Sequence, residues 1–428
     1  MMRTTESHSN EPLLKVLAIS FSYPPQSEPR AIQVSRLLRH LEVEDVVVCC
    51  GKAAGESNES ENNRTIRIPL MNSVWRNLSI RMVDRFNVPV FYRTPDHLRA
   101  WKNKVLKRIQ RLIESERYRP DIVVTFSFPL IDAIIGLELK RQYGFPWLAH
   151  FSDPWVDNSF KNFDRFTKVL NSKLERKVME SADRIVFTST ETAELVMSKY
   201  DPELACKVRT VPHAFEPDLF RSSSNSYSCL PVRFLGDLYH DRTPKPLFTA
   251  LERLLISDPA LVKKFTFEII GDLHQLNLME LGLGRLPECL VVVKPRVNYS
   301  ESLSLMSSAS GLMVIDAPVP QNRKSVFLPS KLIEYVGAGR PVVGLTPPGT
   351  AADLIHDLGG WVADPTDPHE LETVMRNFLN FVLANIGSDS PWGDDKVRRR
   401  FQVDNVAAVF QGILTELCTS GRHLPSLE

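Results

Sequence analysis

Between Phe327 and Val343 the chain reads FLPSKLIEYVGAGRPVV, and a few residues in it have the types and spacing of a site for an anion and for hydroxyls. Pro329 and Ser330 suit the entry and N-cap of a short helix, because a serine side chain can accept from the free N–H groups of the first turn. Those N–H groups and the helix dipole favour a phosphate, and Lys331 adds a full positive charge beside them. Glu334 falls one turn further on, near the face of Lys331, where a carboxylate can accept from two vicinal hydroxyls such as those of a ribose. Gly337 and Gly339 suit a left-handed helix end, and 341–345 then reads as a buried strand. An ordinary helix-to-strand joint, with Glu334 paired to Lys331 on the surface, uses the same residues, so both readings stand at this point.

Those residues need a frame, and length and composition bound it. At 428 residues the chain exceeds one ordinary core, and two domains of about 200 residues each fit best. Lys and Arg number 52 against 51 Asp and Glu, so no global field draws the protein to nucleic acid or to an acidic membrane, and any anion site must be local. No apolar run approaches the ~18 residues of a membrane span. The polar opening Met1–Ser7 is not followed by a signal core, which predicts a cytoplasmic protein. Cys49, Cys50, Cys206, Cys229, Cys289 and Cys418 show no C-x-x-C pair. That pattern argues for reduced thiols and against a disulfide framework or zinc site, and leaves the sequons at Asn63 and Asn77 unused.

Short apolar runs alternate with helical patterns in the first half. Strands are predicted at 14–20, 45–50, 121–126, 147–151, 184–188 and 207–211, with a helix at 31–41 and a polar loop at 53–63. From Trp101 to about 117, apolar residues recur at helical spacing with Lys102, Lys104, Lys107, Arg108 and Arg111 between them. This amphipathic basic helix suits either the solvated face of a core helix or peripheral contact with an anionic membrane. The Ser-rich 221–228 segment reads as a linker. A second alternating series follows, with strands at 232–236, 265–271, 290–293, 311–315 and 341–345 and a helix at 244–256. Strands separated by helices of this length predict parallel sheets covered on both faces, hence an α/β protein of two doubly wound, Rossmann-like units facing a cleft, with ligands at the carboxyl ends of strands. A dinucleotide-binding dehydrogenase is disfavoured, because the first strand leads to Tyr23-Pro24-Pro25 and no G-x-G-x-x-G is in register.

Seven short motifs stand in an order that resembles the retaining GT-B glycosyltransferases of the family 4 class, across nearly the whole chain. They are Phe21–Pro25, Arg119–Val123, His150–Trp155, Ser181–Ile185, Val211–Phe215, Phe234–Gly236 and Pro329–Pro341. The resemblance implies an N-terminal acceptor-side domain over 1–215, a nucleotide-sugar domain over 216–400, and a C-terminal helix over 401–428 that crosses back to the first domain. It implies transfer of a sugar from a UDP- or GDP-sugar to a polysaccharide or glycolipid acceptor with retention, without metal or other cofactor. By the same resemblance Glu334 holds the ribose, and Ser330, Lys331 and Leu332 lie at the phosphates. Arg242 and Lys245 occupy the loop where the family keeps its phosphate-binding bases. His150 and Asp153 take the acceptor side and reaction centre, with Asp153 orienting the acceptor hydroxyl or stabilising charge on the sugar. Tyr23, Pro24 and Pro25 shape a first loop expected to present backbone N–H groups. The departures are specific. Val326 stands eight residues before Glu334, where the family often has a second glutamate; Gln26–Arg30 replaces the usual pair of glycines, with Arg30 expected to supply donors instead; and Ala214 replaces a glycine. Two other functions therefore remain open: a noncatalytic homologue that binds nucleotide or a partner enzyme, and a sugar-nucleotide epimerase.

Overall fold

The computed structural model describes residues 13–52, 64–70, 95–96, 98–159, 161, 163–220, 228–239, 241–274, 276–320, 323–388 and 390–421. The predicted loop at 53–63, both sequon asparagines, the opening Met1–Ser7 and nearly all of the Ser-rich linker lie outside them. The chain divides into two units, one comprising Met1–Phe187, Val196–Arg209 and Ala407–Glu428, the other Thr188–Leu195 and Thr210–Val406.

The first unit is built on seven strands: β1 (Lys15–Ile19), β2 (Asp45–Lys52), β3 (Thr65–Pro69), β4 (Ile122–Ser127), β5 (Trp147–Phe151), β6 (Arg184–Phe187) and β7 (Val208–Thr210). Their order across the sheet is β3-β2-β1-β4-β5-β6-β7. Runs such as Ile122–Ser127 and Trp147–Phe151 are buried along their whole length, as a parallel sheet covered on both faces requires. β1 pairs in parallel with both β2 and β4, so the chain reverses its winding direction between β1 and β4. From Ala407 onward the C-terminal helix Val403–Gly421 packs in this unit, with the Phe410 ring 6.2 Å from Phe126 and 6.3 Å from His150.

The basic helix spans Arg99–Glu114 and buries Trp101, Val105, Ile109 and Leu112 in the core. Lys102 pairs with Glu138, Arg108 with Glu116, and Lys104 donates to the Pro69 carbonyl. Its apolar stripe is therefore already covered, and no helix among the described residues is long and apolar enough to cross a membrane.

The second unit holds β8 (Leu230–Leu235), β9 (Phe265–Ile270), β10 (Val291–Lys294), β11 (Gly311–Ile315), β12 (Val342–Leu345) and β13 (Trp361–Ala363), in the order β10-β9-β8-β11-β12-β13. Winding reverses here between β8 and β11, and the crevice at the carboxyl ends of two such strands is where an open α/β sheet receives ligands.

Candidate functional site

In the second unit the strand ends after β8 and β9 are shaped by two glycines. A Cβ on Gly271 would lie 1.9 Å from the Gly236 carbonyl oxygen, and Gly271 has φ +154°, so no side chain fits there. A Cβ on Gly236 would stand 2.6 Å from Lys331 Nζ. The ammonium thus lies across a bare stretch of backbone at the end of β8.

Lys331 comes from the helix Ser330–Ala338. Its N-cap is Pro329, and Ser330 is the first helical residue. The expected serine cap is not made, because the cap position falls one residue earlier, on a side chain with no acceptor. The N–H groups of Ser330 and Lys331 are among those a helix start leaves without intrahelical acceptors. Leu332 is a correction of another kind. Its side chain is fully buried in the core and its N–H donates to the Pro329 carbonyl at 2.9 Å, so its side chain cannot face a ligand. The buried Tyr335 hydroxyl accepts from the Leu235 N–H at 3.0 Å, which pins the helix to the end of β8. Gly339, at φ +61°, ends the helix; Gly337 is helical and makes room for Phe215 and Phe220.

Burial, aided by Arg242 and Arg296 and opposed by Asp237, draws the Lys331 ammonium down to about 8. Asp237 is itself paired with Arg296. Arg242 donates to Asp316 at 2.6 Å through Nη2 and at 3.1 Å through Nε, and to the Tyr239 hydroxyl at 3.1 Å. Burial works against its charge, but Asp316 and Tyr239 outweigh it and hold the guanidinium above its ordinary value. Lys245 is exposed at the first position of the helix Lys245–Ser257. Glu334 is 5 % exposed, and its Oε1 accepts from the Tyr299 hydroxyl at 3.2 Å. It is a buried acid, not the partner of Lys331 in a surface ion pair. The Val326 carbonyl accepts from the hydroxyls of Ser189 and Thr192 at 3.2 and 3.1 Å.

The first unit gathers a second cluster around β4 and β5. His150 lies in β5 and is 4 % exposed, and Asp153 follows just past the strand end. Arg30, second residue of the helix Pro29–Arg39, reaches under both. Its Nη2 donates to the Ser127 carbonyl at 2.7 Å and the His150 carbonyl at 3.3 Å, and lies 3.2 Å from His150 Nδ1. A guanidinium only donates, so Nδ1 must accept, and the ring proton of neutral His150 belongs on Nε2. Through Nη2 Arg30 therefore orients His150, while its Nε has no hydrogen-bond partner among the described residues. Burial lowers the guanidinium to about 10 against the attraction of Asp153 and Asp132. Burial likewise raises the Asp153 carboxyl, opposed by Arg30, Lys161 and Ser152. Lys161 stands 3.9 Å over the Phe128 ring and is brought to about 8 by burial.

The Gln26 N–H turns inward to the Tyr23 carbonyl at 3.3 Å, the Phe21 N–H goes to Asp132 at 2.9 Å, and Pro24 and Pro25 have no N–H to give. Burial raises the Tyr23 phenol. Asp132 is fully buried, and desolvation pushes its carboxyl well above the usual range. Sequence reading missed Asp132, Lys161, Asp237, Arg296, Tyr299 and Asp316. Asp132 and Asp316 had a visible signal, since each is a lone acid in or directly after an apolar run; the others had none.

Residues 27–212 match the family model described as a glycosyl transferase 4-like domain. Among solved structures the chain is similar to a trehalose-6-phosphate phosphatase N-terminal domain from Candida albicans, at 13% identity and TM-score 0.65 over 96% of this chain and 98% of that one. It is also similar to a sucrose-phosphate synthase from Thermosynechococcus elongatus, at 16% and 0.61 over 95% and 100%. A third is a lipopolysaccharide outer core galactosyltransferase, at 13% and 0.60 over 94% and 99%. No curated protein matches the chain. At such identities the likeness shows the fold, which is GT-B.

Proposed function

We propose that this chain, a GT-B protein whose residues 27–212 match a glycosyl transferase 4-like domain, transfers a sugar from a UDP- or GDP-sugar to a polysaccharide or glycolipid acceptor with retention of configuration. The observation that carries this reading is Lys331 lying across Gly236 at the end of β8, on the same helix as the buried Glu334. A nucleotide diphosphate laid over that bare backbone meets the ammonium and the N–H groups of the helix start. Glu334 and Tyr299 then offer an acceptor and a hydroxyl to the ribose.

As the glycosidic bond breaks, negative charge grows on the diphosphate. Fixed cations stabilise it, and hydrogen bonds to charged groups contribute roughly 1.5–3 kcal/mol each. Lys331 and Arg242 are the groups for this task, and in this reading they do it without a metal. Arg242 gives up part of its contact with Asp316 to reach a phosphate; Lys245 is a weaker candidate because it is exposed. In the first unit His150, held by Arg30, donates from Nε2 to a sugar hydroxyl. Asp153 orients the acceptor hydroxyl or faces the positive charge on the reacting sugar.

Val326 favours a second reading, in which the chain binds nucleotide without turnover, because an apolar side chain stands where a donor-sugar carboxylate is expected. The test is thermal stability with UDP, GDP, ADP and their sugars, in the wild type and Glu334→Ala. Ligand at about 100 times its dissociation constant adds roughly 2.7 kcal/mol. A shift with one nucleotide that is lost in the variant supports the donor site, and the absence of any shift refutes it. Turnover that needs an acceptor separates transfer from epimerisation, which yields product from the sugar nucleotide alone.

A further inference from the structure

The helix Arg165–Ser181 in the first unit presents an outward face of unusual composition. Arg165, Lys168, Lys173, Arg176 and Lys177 are all exposed along it. The one exposed acid within the helix, Glu180, pairs with Arg176 at 3.6 Å. Beside this face lies a cavity of about 430 Å³ whose lining includes Arg165, Lys168, Lys173, Arg176 and Lys199 against a single carboxylate, Glu175. Glu175 is itself fully buried and already satisfied by Lys199, Tyr200 and the Val156 N–H. Lys199 is also paired with Asp157, and Arg176 with Glu180, so in a chain with a formal net charge of +1 the local anion attractor is Arg165, Lys168 and Lys173, for which no ion pair is seen among the described residues.

Two apolar side chains stand among those charges. Phe166 is 73 % exposed and Val169 is 49 % exposed, one helical turn apart on the same face. A soluble phosphate would engage the cations and leave both apolar groups in water. An anionic bilayer engages both sets, headgroup phosphates on the lysines and arginines and the interfacial zone on Phe166 and Val169. The other basic helix, Arg99–Glu114, lacks this second feature because its apolar stripe is in the core.

We propose that this face of the helix Arg165–Ser181 docks the protein on a membrane containing anionic phospholipid, with the cavity taking a lipid headgroup phosphate. A bilayer surface would also be where a lipid-linked acceptor is met, but the docking does not depend on the donor site.

The test is sedimentation with vesicles of phosphatidylcholine alone and of phosphatidylcholine mixed with phosphatidylglycerol, at low and high salt. Phe166→Asp and the double variant K168E/K173E are compared with the wild type. All three substituted positions are exposed, so melting temperatures should stay within a degree or two, which separates lost docking from lost fold. The expected result is binding to the mixed vesicles only, weakened by salt. K168E/K173E should lose about thirtyfold or more in apparent affinity, given that each basic residue near an anionic surface contributes about 1 kcal/mol, and Phe166→Asp should also weaken binding, since it removes an apolar contact and adds a like charge. No binding to mixed vesicles at low salt overturns the proposal, as does equal binding to phosphatidylcholine alone. Binding that survives both variants assigns the docking to another surface. Inorganic phosphate is the last arm: if it competes fully and Phe166→Asp has no effect, the site is one for soluble phosphate.

Discussion

If Lys331 meets the diphosphate as proposed, nucleotide binding should depend on pH in a way that isolates its role. Burial draws its ammonium down to about 8 in the ligand-free protein. A diphosphate placed against it favours the charged form and raises that value. The sign follows from which state holds the proton. Below pH 8 the free protein already carries it, and affinity is flat. Above pH 8 the proton must be taken up on binding, and affinity falls, by up to tenfold per unit, until the bound-state value is reached. Between pH 7 and pH 9 the free protein passes from about nine-tenths to about one-tenth protonated at this site, so the dissociation constant should rise about tenfold. Lys331→Met should bind at pH 7 more weakly by about 1.5–3 kcal/mol, roughly 13- to 160-fold, and show no such slope. Calorimetric titration with UDP or GDP in two buffers of different ionisation enthalpy reads affinity and proton uptake together. Equal affinity at pH 7 and 9 with no proton uptake refutes the placement of Lys331 at the phosphates. So does a slope that persists in the methionine variant, since Lys161 also titrates near 8.

Three further outcomes follow from other contacts. Gly271→Ala places a Cβ 1.9 Å from the Gly236 oxygen at φ +154°; backbone must move, and denaturant unfolding should show a loss of about 2–4 kcal/mol at unchanged m-value. Arg30→Met removes the donor that holds His150 Nδ1 as an acceptor; nitrogen NMR of the imidazole should show the Nε2–H form in the wild type and a mixture of tautomers in the variant, and an unchanged pattern would disprove the assignment. Arg233→Met breaks a buried pair in which Nε donates to Glu268 at 2.6 Å; the cost should fall near the low end of about 3–5 kcal/mol, because Lys294 remains 2.6 Å from Glu268.

The sequence by itself determined the frame. Strands such as Trp147–Phe151 and Gly311–Ile315 were legible to the residue because a parallel strand buried on both faces is a largely apolar run, interrupted in the first only by His150. β3 and β13, five and three residues long at sheet edges, were not predicted, although the edge strands β7 and β10 were. Glu334 and Lys331 were legible as chemistry because both lie within one short helix, where spacing fixes which side chains share a face. What each one does there was not legible. Glu334 meets Tyr299 and Lys331 lies over Gly236, partners far apart in the chain that only the packing of the helix Ser330–Ala338 on the helix Tyr299–Ser307 and on β8 brings together. Arg30 was legible as a source of donors, but its contact with His150, 120 residues away, was not. Local pattern records the environment each residue needs. The partner that satisfies it is decided by tertiary packing, because a buried charge takes whichever donor or acceptor the fold sets beside it.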